Sequence, residues 1–327
     1  MLCSATMSVA GMSKSLQHQR RWHLPPSLEL LARCALQTRR RFFRKRGGGA
    51  AAPIVQGTRL QPALLADTLA EMGIHPGDIL LVHSDVSALQ KVGWEPLEFV
   101  DFLLDYLGTQ GTLVMPTHPV LSEADGRLTY DVRRSPSSVG LLTELFRRRA
   151  GVVRSAFPYS AAAALGPQAH ALTDEHIHSY APHDEHSPYA RLGELGGKSL
   201  CVGCPLVRLT ILHVAEDVLR DRLGIPGFYE ERRVCVRQGG KEIEVAAHVR
   251  AGWLWWYLAL SRWQADMYRY NLVRESAPSG LRLAAVNADD TIAWMKNEIQ
   301  RGRSLYRMAW LNRWLRLGEP LREEGMA

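Results

Sequence analysis

Three short apolar runs, Ile79 to His83, Thr112 to Met115 and Lys198 to Gly203, are spaced along the chain between stretches of helical periodicity. Each is too short for a helix and apolar on both faces, as a strand covered on both sides of a sheet must be. Helical spacing covers Gln61 to Met72, which stops at Gly73, and Pro96 to Leu107, with apolar residues at 97, 99, 100, 103, 104 and 107. It returns at Gly140 to Arg149, where Ser137 and Ser138 are candidate caps, and at Leu209 to Arg222. Arg233–Val236 and Glu242–Ala246 flank Gly239-Gly240, which reads as a hairpin. The alternation specifies a layered α/β/α domain over residues 58–246, with a mixed, mainly parallel central sheet.

The net charge of +7 belongs to one end of the chain. Residues 1–50 carry ten Lys/Arg against the single Glu29, so the remaining residues sum to −2. Residues 1–57 therefore read as a basic, disordered arm and linker, and nucleic acid is not required as a partner of the folded part. From Ala251 the composition changes again. Trp253, Trp255, Trp256, Trp263, Trp294, Trp310 and Trp314 are seven of the nine tryptophans. Residues 247–327 read as a helical, aromatic-rich extension, interrupted at Pro278-Ser279-Gly280. Such a tail packs on its own domain first; a homodimer contact or a membrane surface is the alternative. No apolar run reaches the roughly 18–20 residues of a transmembrane span.

Cys201 and Cys204 form one C-x-x-C, without the second pair that a zinc ribbon needs. The reading is small core cysteines in a reducing, cytoplasmic setting. Five of twelve histidines, His170, His176, His178, His183 and His186, fall in one stretch with Asp174, Glu175, Asp184 and Glu185. Metal ligation, acid–base chemistry and a solvated loop are all open to such a segment. Pro182 and Pro188 bracket His183 and His186 and argue against the helical spacing of a zinc site, so no metal is expected.

Four further elements carry chemistry. His83-Ser84-Asp85-Val86-Ser87 lies at a strand's carboxyl end, where open α/β sheets bind ligands. Met115-Pro116-Thr117 ends the second strand, and Val153-Arg154-Ser155-Ala156-Phe157-Pro158 places an arginine after an apolar pair. His213 then opens a helix after the third strand, with Glu216 one turn on. Together with Asp184-Glu185-His186-Ser187-Pro188-Tyr189-Ala190-Arg191-Leu192, their order and spacing resemble the aminoglycoside 3-N-acetyltransferase family, over about residues 62–246.

The resemblance implies an acetyltransferase that uses acetyl-CoA and a small-molecule amine, an aminoglycoside or other amino sugar. It implies that His83, Ser84, Ser87, Ser138, Gly140, Arg154 and Ser155 cradle coenzyme A. His213 would be the general base and Glu185 its orienting carboxylate, with His183, His186 and Glu216 at the acceptor pocket. The chain departs from the family pattern at Phe157 (a histidine there), Val207 (an aspartate) and Asp184 (a glycine). Losing the acid at 207 weakens the case for a polycationic aminoglycoside, though not for acyl transfer, and a sugar amine of surface-polysaccharide or secondary metabolism is the other expected acceptor. A metal-dependent hydrolase built on His176 to His186, and a non-catalytic coenzyme A or glycan-binding module, are the alternatives.

Overall fold

The computed structural model describes residues 59–306, apart from 125, 224–226, 253 and 255–257. The basic arm and Trp253, Trp255, Trp256, Trp310 and Trp314 lie outside the described residues. In chain order the elements are α1 (Pro62–Glu71), β1 (Ile79–Ser84), α2 (Val86–Lys91), α3 (Pro96–Leu107), β2 (Thr112–Pro116), β3 (Ser122–Ala124) and β4 (Arg127–Asp131). There follow α4 (Leu141–Arg147), β5 (Val153–Arg154), β6 (Ala162–Leu165), α5 (Ala169–Thr173), α6 (Pro188–Glu194), β7 (Lys198–Val202) and α7 (Val214–Val218). The last are β8 (Tyr229–Gln238), β9 (Lys241–Arg250), α8 (Leu260–Arg269), β10 (Arg274–Ser276), β11 (Leu283–Asn287) and α9 (Ala288–Gln300).

A seven-stranded sheet runs β10-β11-β7-β1-β2-β6-β5. Successive residues of a strand point to opposite faces, and this sheet buries both. Leu80 and Val82 of β1, Leu113 and Met115 of β2, and Leu200 and Val202 of β7 pack with α1, α3 and α4, against Leu69, Phe99, Leu103 and Phe146. Leu81, Val114 and Cys201 face the other way, onto Leu172 of α5, Tyr189 of α6, Trp263 of α8 and Met295 of α9. The layered α/β/α arrangement and the mixed sheet are therefore as expected.

Parallel pairing is narrower than "mainly parallel". Within the seven-stranded sheet only β1–β2 and β1–β7 are parallel, while β6, β11, β5 and β10 join antiparallel. The β5–β6 and β10–β11 connections are far shorter than the dozen or so residues that a parallel crossover needs, so these neighbours must be antiparallel.

The boundary at 246/247 is also displaced. β9 runs through it, and the supposedly helical extension supplies two strands, of which β11 pairs directly with β7 from Leu283↔Val202 to Asn287↔Lys198. The Pro278-Ser279-Gly280 interruption is the turn between β10 and β11, with Ser279 left-handed at φ 49°. Trp263 is buried and meets Trp294 edge-on at 5.3 Å, so these two tryptophans pack on their own domain.

A second sheet, β3-β4-β8-β9, encloses a small core of Tyr130, Phe157, Val234, Val236 and Val245. The hairpin expected at Gly239-Gly240 is β8–β9, in register from Tyr229↔Arg250 to Gln238↔Lys241. Both glycines have positive φ (57° and 79°), as a tight primed turn requires. The helix expected over Leu209–Arg222 is broken into short 3₁₀ turns around α7. Leu206, Leu209, Ile211, Leu212, Val214 and Ala215 are all buried in one cluster, so the segment has no solvent face for a regular amphipathic helix.

Candidate active site

β1, β2 and β7 run side by side, and their carboxyl ends present His83, His118 and the segment leading to His213. β7 closes at Gly203, which sits at φ 67° against α2; a side chain there would overlap the Ala88 methyl. This close approach turns the chain sharply, and two 3₁₀ turns carry it to His213, the N-cap residue of α7.

The His213 side chain keeps 16% of its surface open, against 4% for His183, so it is the reachable member of the pair. Their rings lie 5.4 Å apart. His213 Nδ1 lies 3.2 Å from Glu216 Oε2. Among the described residues its Nε2 has no hydrogen-bond partner. Burial, with Arg250 nearby, lowers the His213 pKa to about 3 against an opposing pull from Asp217, so the ring is neutral at physiological pH.

Behind the two rings is a buried ionic cluster. Asp217 Oδ2 accepts the His183 backbone N–H at 2.9 Å and meets His183 Nδ1 at 3.0 Å. Its Oδ1 accepts from the Tyr229 hydroxyl at 2.7 Å and from Arg250 Nη2 at 2.8 Å. Arg250 also donates to the His213 carbonyl at 3.3 Å and lies 3.6 Å from Glu216. Burial by itself would raise the Asp217 pKa. The Arg250 charge and the His183 and Tyr229 hydrogen bonds outweigh it and hold the carboxyl well below its ordinary range. Among the described residues Glu216 has only longer contacts, with His213 Nδ1 at 3.2 Å and the Leu305 amide at 3.4 Å; burial pushes it up to about 8 although Arg250 pulls the other way. Of two adjacent buried acids, one is thus ionised and the other largely protonated at neutral pH.

Two further rings complete the floor. His83 and His118 each have a buried Nε2 without a partner among the described residues. Burial lowers His83 to about 3 and His118 to about 4, the latter also opposed by the charges His183, Arg154 and His213 would carry. Orphaned buried ring nitrogens are rare and fit a site that takes a polar ligand.

Several expected roles do not match the geometry. Glu185 is exposed and lies 3.4 Å from Arg220, away from His213. Its neighbour Asp184 takes the interior position, accepting from Ser179 Oγ, the Tyr180 and Ala181 amides and the His186 amide at 2.6–3.1 Å, and this turns Glu185 outward. Arg154 is no open phosphate ligand: its guanidinium donates to Thr117 Oγ1, Thr117 O, Val132 O and Ser135 O and lies over the Tyr130 ring. Ser155 is buried, with Oγ accepting from the Ala162 amide and 2.8 Å from His176 Nδ1. Ser137 and Ser138 do not cap α4, whose N-cap is Gly140. Ser138 instead donates its amide and hydroxyl to the His118 carbonyl, at 2.7 and 3.0 Å.

Ser84 is half-buried, and Ser87, Ser138 and Gly140 are exposed, so these expected coenzyme contacts stay open. His186 is half-buried. The histidine stretch disperses: both His176 ring nitrogens are engaged, by Ser155 and the Pro182 carbonyl, and His170 and His178 face solvent. Among the described residues no three His, Cys, Asp or Glu side chains converge as a metal site. The sequence reading singles out none of Asp217, Tyr229, Arg250 and His118. His118 alone has a signal there, its place just after the apolar run of β2.

The family profile described as aminoglycoside 3-N-acetyltransferase matches residues 81–299. The chain is 35% identical over 185 residues to aminoglycoside N(3)-acetyltransferase IV from Salmonella sp, covering 56% of this chain and 67% of that protein. It is 37% identical over 169 residues to aminoglycoside N(3)-acetyltransferase VII from Streptomyces paromomycinus, covering 46% and 58%. Its match thus spans about three fifths to two thirds of the length of these relatives. Among solved structures, a mutant of aminoglycoside acetyltransferase AAC(3)-IVa in complex with a gentamicin superposes with TM-score 0.63 at 27% identity, covering 76% of this chain and 91% of that one. A binary complex of AAC-IIIb with CoASH shares the fold at 24% identity, TM-score 0.62, covering 80% and 98%.

Proposed function

The chain belongs to the aminoglycoside 3-N-acetyltransferase family, and we propose on that premise that it moves an acetyl group from acetyl-CoA to an amino group of an aminoglycoside or related amino sugar. The observation that carries the reading is the partly open, neutral ring of His213, with Nδ1 on Glu216 and Nε2 free among the described residues. The acceptor nitrogen attacks the thioester carbonyl carbon. A C–N bond forms, the C–S bond breaks, and the acceptor's proton passes to His213 Nε2 and on to the leaving sulfur. A base is needed because the amine must shed that proton as it acylates.

Glu216 replaces Glu185 as the partner of the base. Its Oε2, accepting the Nδ1–H, holds the tautomer whose Nε2 lone pair is open to the acceptor's proton, and Glu216 keeps its own proton throughout. The unpartnered His83 and His118 rings, both neutral, are placed to donate N–H to a developing oxyanion. The exposed Ser87, Ser138 and Gly140 edge is the side from which coenzyme A enters. No described helix is long and apolar enough to cross a membrane. We place the protein in the cytoplasm, where acetyl-CoA is made and the free Cys201 and Cys204 thiols persist.

The test is thiol release from acetyl-CoA against a panel of aminoglycosides and amino sugars. Turnover with at least one amine is expected. Coenzyme A binding without thiol release from any amine would instead make the chain a non-catalytic binding module.

A further inference from the structure

We propose that the cleft between the Asp131–Arg134 turn and the β8–β9 hairpin tip is a phosphate-binding site, and that it holds the phosphorylated nucleotide end of coenzyme A. Its anion chemistry stands on the charges in the cleft; the identity of the ligand rests on the acetyltransferase reading.

The cleft has a volume of about 730 Å³, within the range of small-molecule sites. Its walls carry four cations, Arg133, Arg134, Arg237 and Lys241, against two carboxylates, Asp131 and Glu242. Both acids are already committed. Asp131 Oδ1 accepts the Arg133 and Arg134 amides at 3.0 and 2.8 Å. Glu242 sits between Arg237 at 2.8 Å and Arg127 at 3.6 Å. The Arg133, Arg134 and Lys241 side chains are exposed and make no hydrogen bond or ion pair among the described residues. Free cations facing one another across a concave surface repel, and an anion between them removes the repulsion. Gly239 and Gly240 keep the tip open, with no atom within 4 Å of where their side chains would begin.

The cleft is braced to the reaction centre. Arg154 Nη1 donates to Val132 O, in the cleft's own wall, at 3.2 Å, and to Ser135 O, the residue after Arg134, at 2.6 Å. The same guanidinium holds Thr117 through Nη2 and Nε, at 2.5 and 3.1 Å, and Thr117 precedes His118. Ser138 is bonded to the His118 carbonyl. From Arg134 to Ser138 the chain spans at most about 14 Å, a reach within that of a pantetheine arm. One segment thus carries free cations at one end and the open Ser138–Gly140 edge at the other. Arg154, buried and unavailable to a phosphate, aligns the two.

The test measures binding directly, by calorimetry with coenzyme A, dephospho-coenzyme A, adenosine 3′,5′-bisphosphate and inorganic phosphate as probes. Adenosine 3′,5′-bisphosphate should bind and be displaced by coenzyme A. The R133E/R134E variant should weaken both by at least about tenfold at an unchanged melting temperature, since the side chains are exposed. It should raise KM for acetyl-CoA while leaving KM for the amine and turnover of S-acetylpantetheine unaltered. Coenzyme A and bisphosphate affinities within twofold of wild type in that variant would overturn the site. Arginine-dependent binding of inorganic phosphate, with coenzyme A unaffected, would keep the anion site and remove coenzyme A as its ligand. Arginine-dependent bisphosphate binding in a protein that acetylates no amine would keep the cleft and sink the acetyltransferase reading.

Discussion

One carboxylate oxygen, Asp217 Oδ2, faces both the backbone N–H and the ring Nδ1 of His183, at 2.9 and 3.0 Å. This fixes the loop and the ring at once, and the other oxygen holds Arg250 and Tyr229. Removing one member of a buried charge pair strands the other. Asp217→Asn should therefore cost about 3–5 kcal/mol in urea unfolding. The double variant Asp217→Asn/Arg250→Met, which removes both charges, should recover much of that loss. An equally destabilised double variant would mean that the pair is not what the cluster depends on.

His213→Ala should reduce turnover by at least about a hundredfold, the scale of a lost general base. The melting temperature should barely move, because the ring is partly open and bonded only at Nδ1. His178→Ala, at an exposed position, should be silent in both measurements. Near-wild-type turnover in His213→Ala would remove the proposed mechanism.

Glu216 and Glu185 can be told apart by steady-state kinetics. Glu216→Gln should lower kcat and change its pH profile near pH 8, since the partner of His213 can no longer ionise there. Glu185→Gln breaks only an exposed contact with Arg220, worth about 0–1 kcal/mol, and should leave kcat little changed. The reverse result would restore Glu185 as the orienting acid.

Stability should fall steeply in acid. His83, His118, His176, His183 and His213 are all held well below the ordinary histidine pKa, to about 3 or 4, first by burial. The unfolded chain protonates them near 6.5, so below that pH it binds up to five more protons at these sites and stability is lost progressively towards pH 3–4. Glu216 acts oppositely: raised to about 8, it keeps its proton in the folded state, and its contribution declines from about pH 4.5 to 8. Five sites against one place the maximum near pH 6.5. Urea midpoints against pH check this, and His176→Asn should shallow the acid limb by about one proton. A flat profile between about pH 4 and 6.5 would contradict the buried, neutral rings.

Much of the architecture is legible in the sequence because its signals are local. β1, β2 and β7, the helix Pro96–Leu107 and the Gly239-Gly240 hairpin each announce themselves within about a dozen residues, through periodicity or turn chemistry. β11 announces itself less clearly. Leu283–Asn287 is an ordinary short apolar run, but it sits in a tail dominated by tryptophan, whose helical character masks it. The motif order that places His213 beside a strand's end is likewise a property of the linear chain.

Burial of a strand depends on its own few side chains, and so the sequence by itself determined the layers of this protein and the loops at the strand ends that form its candidate site. Which acid faces which ring depends on long-range contacts. Asp217 meets His183 across 34 residues and Arg250 across 33, through the register of β9 beside β8. Only the tertiary structure decided that Asp184 would fill the interior and expose Glu185, and that Arg154 would brace two carbonyl-rich turns. Its decision to bury Asp217 as an ion beside a protonated Glu216 has the same origin. The physical reason is that a charge inside a protein takes its energy from whichever dipoles and counter-charges the folded chain brings to it.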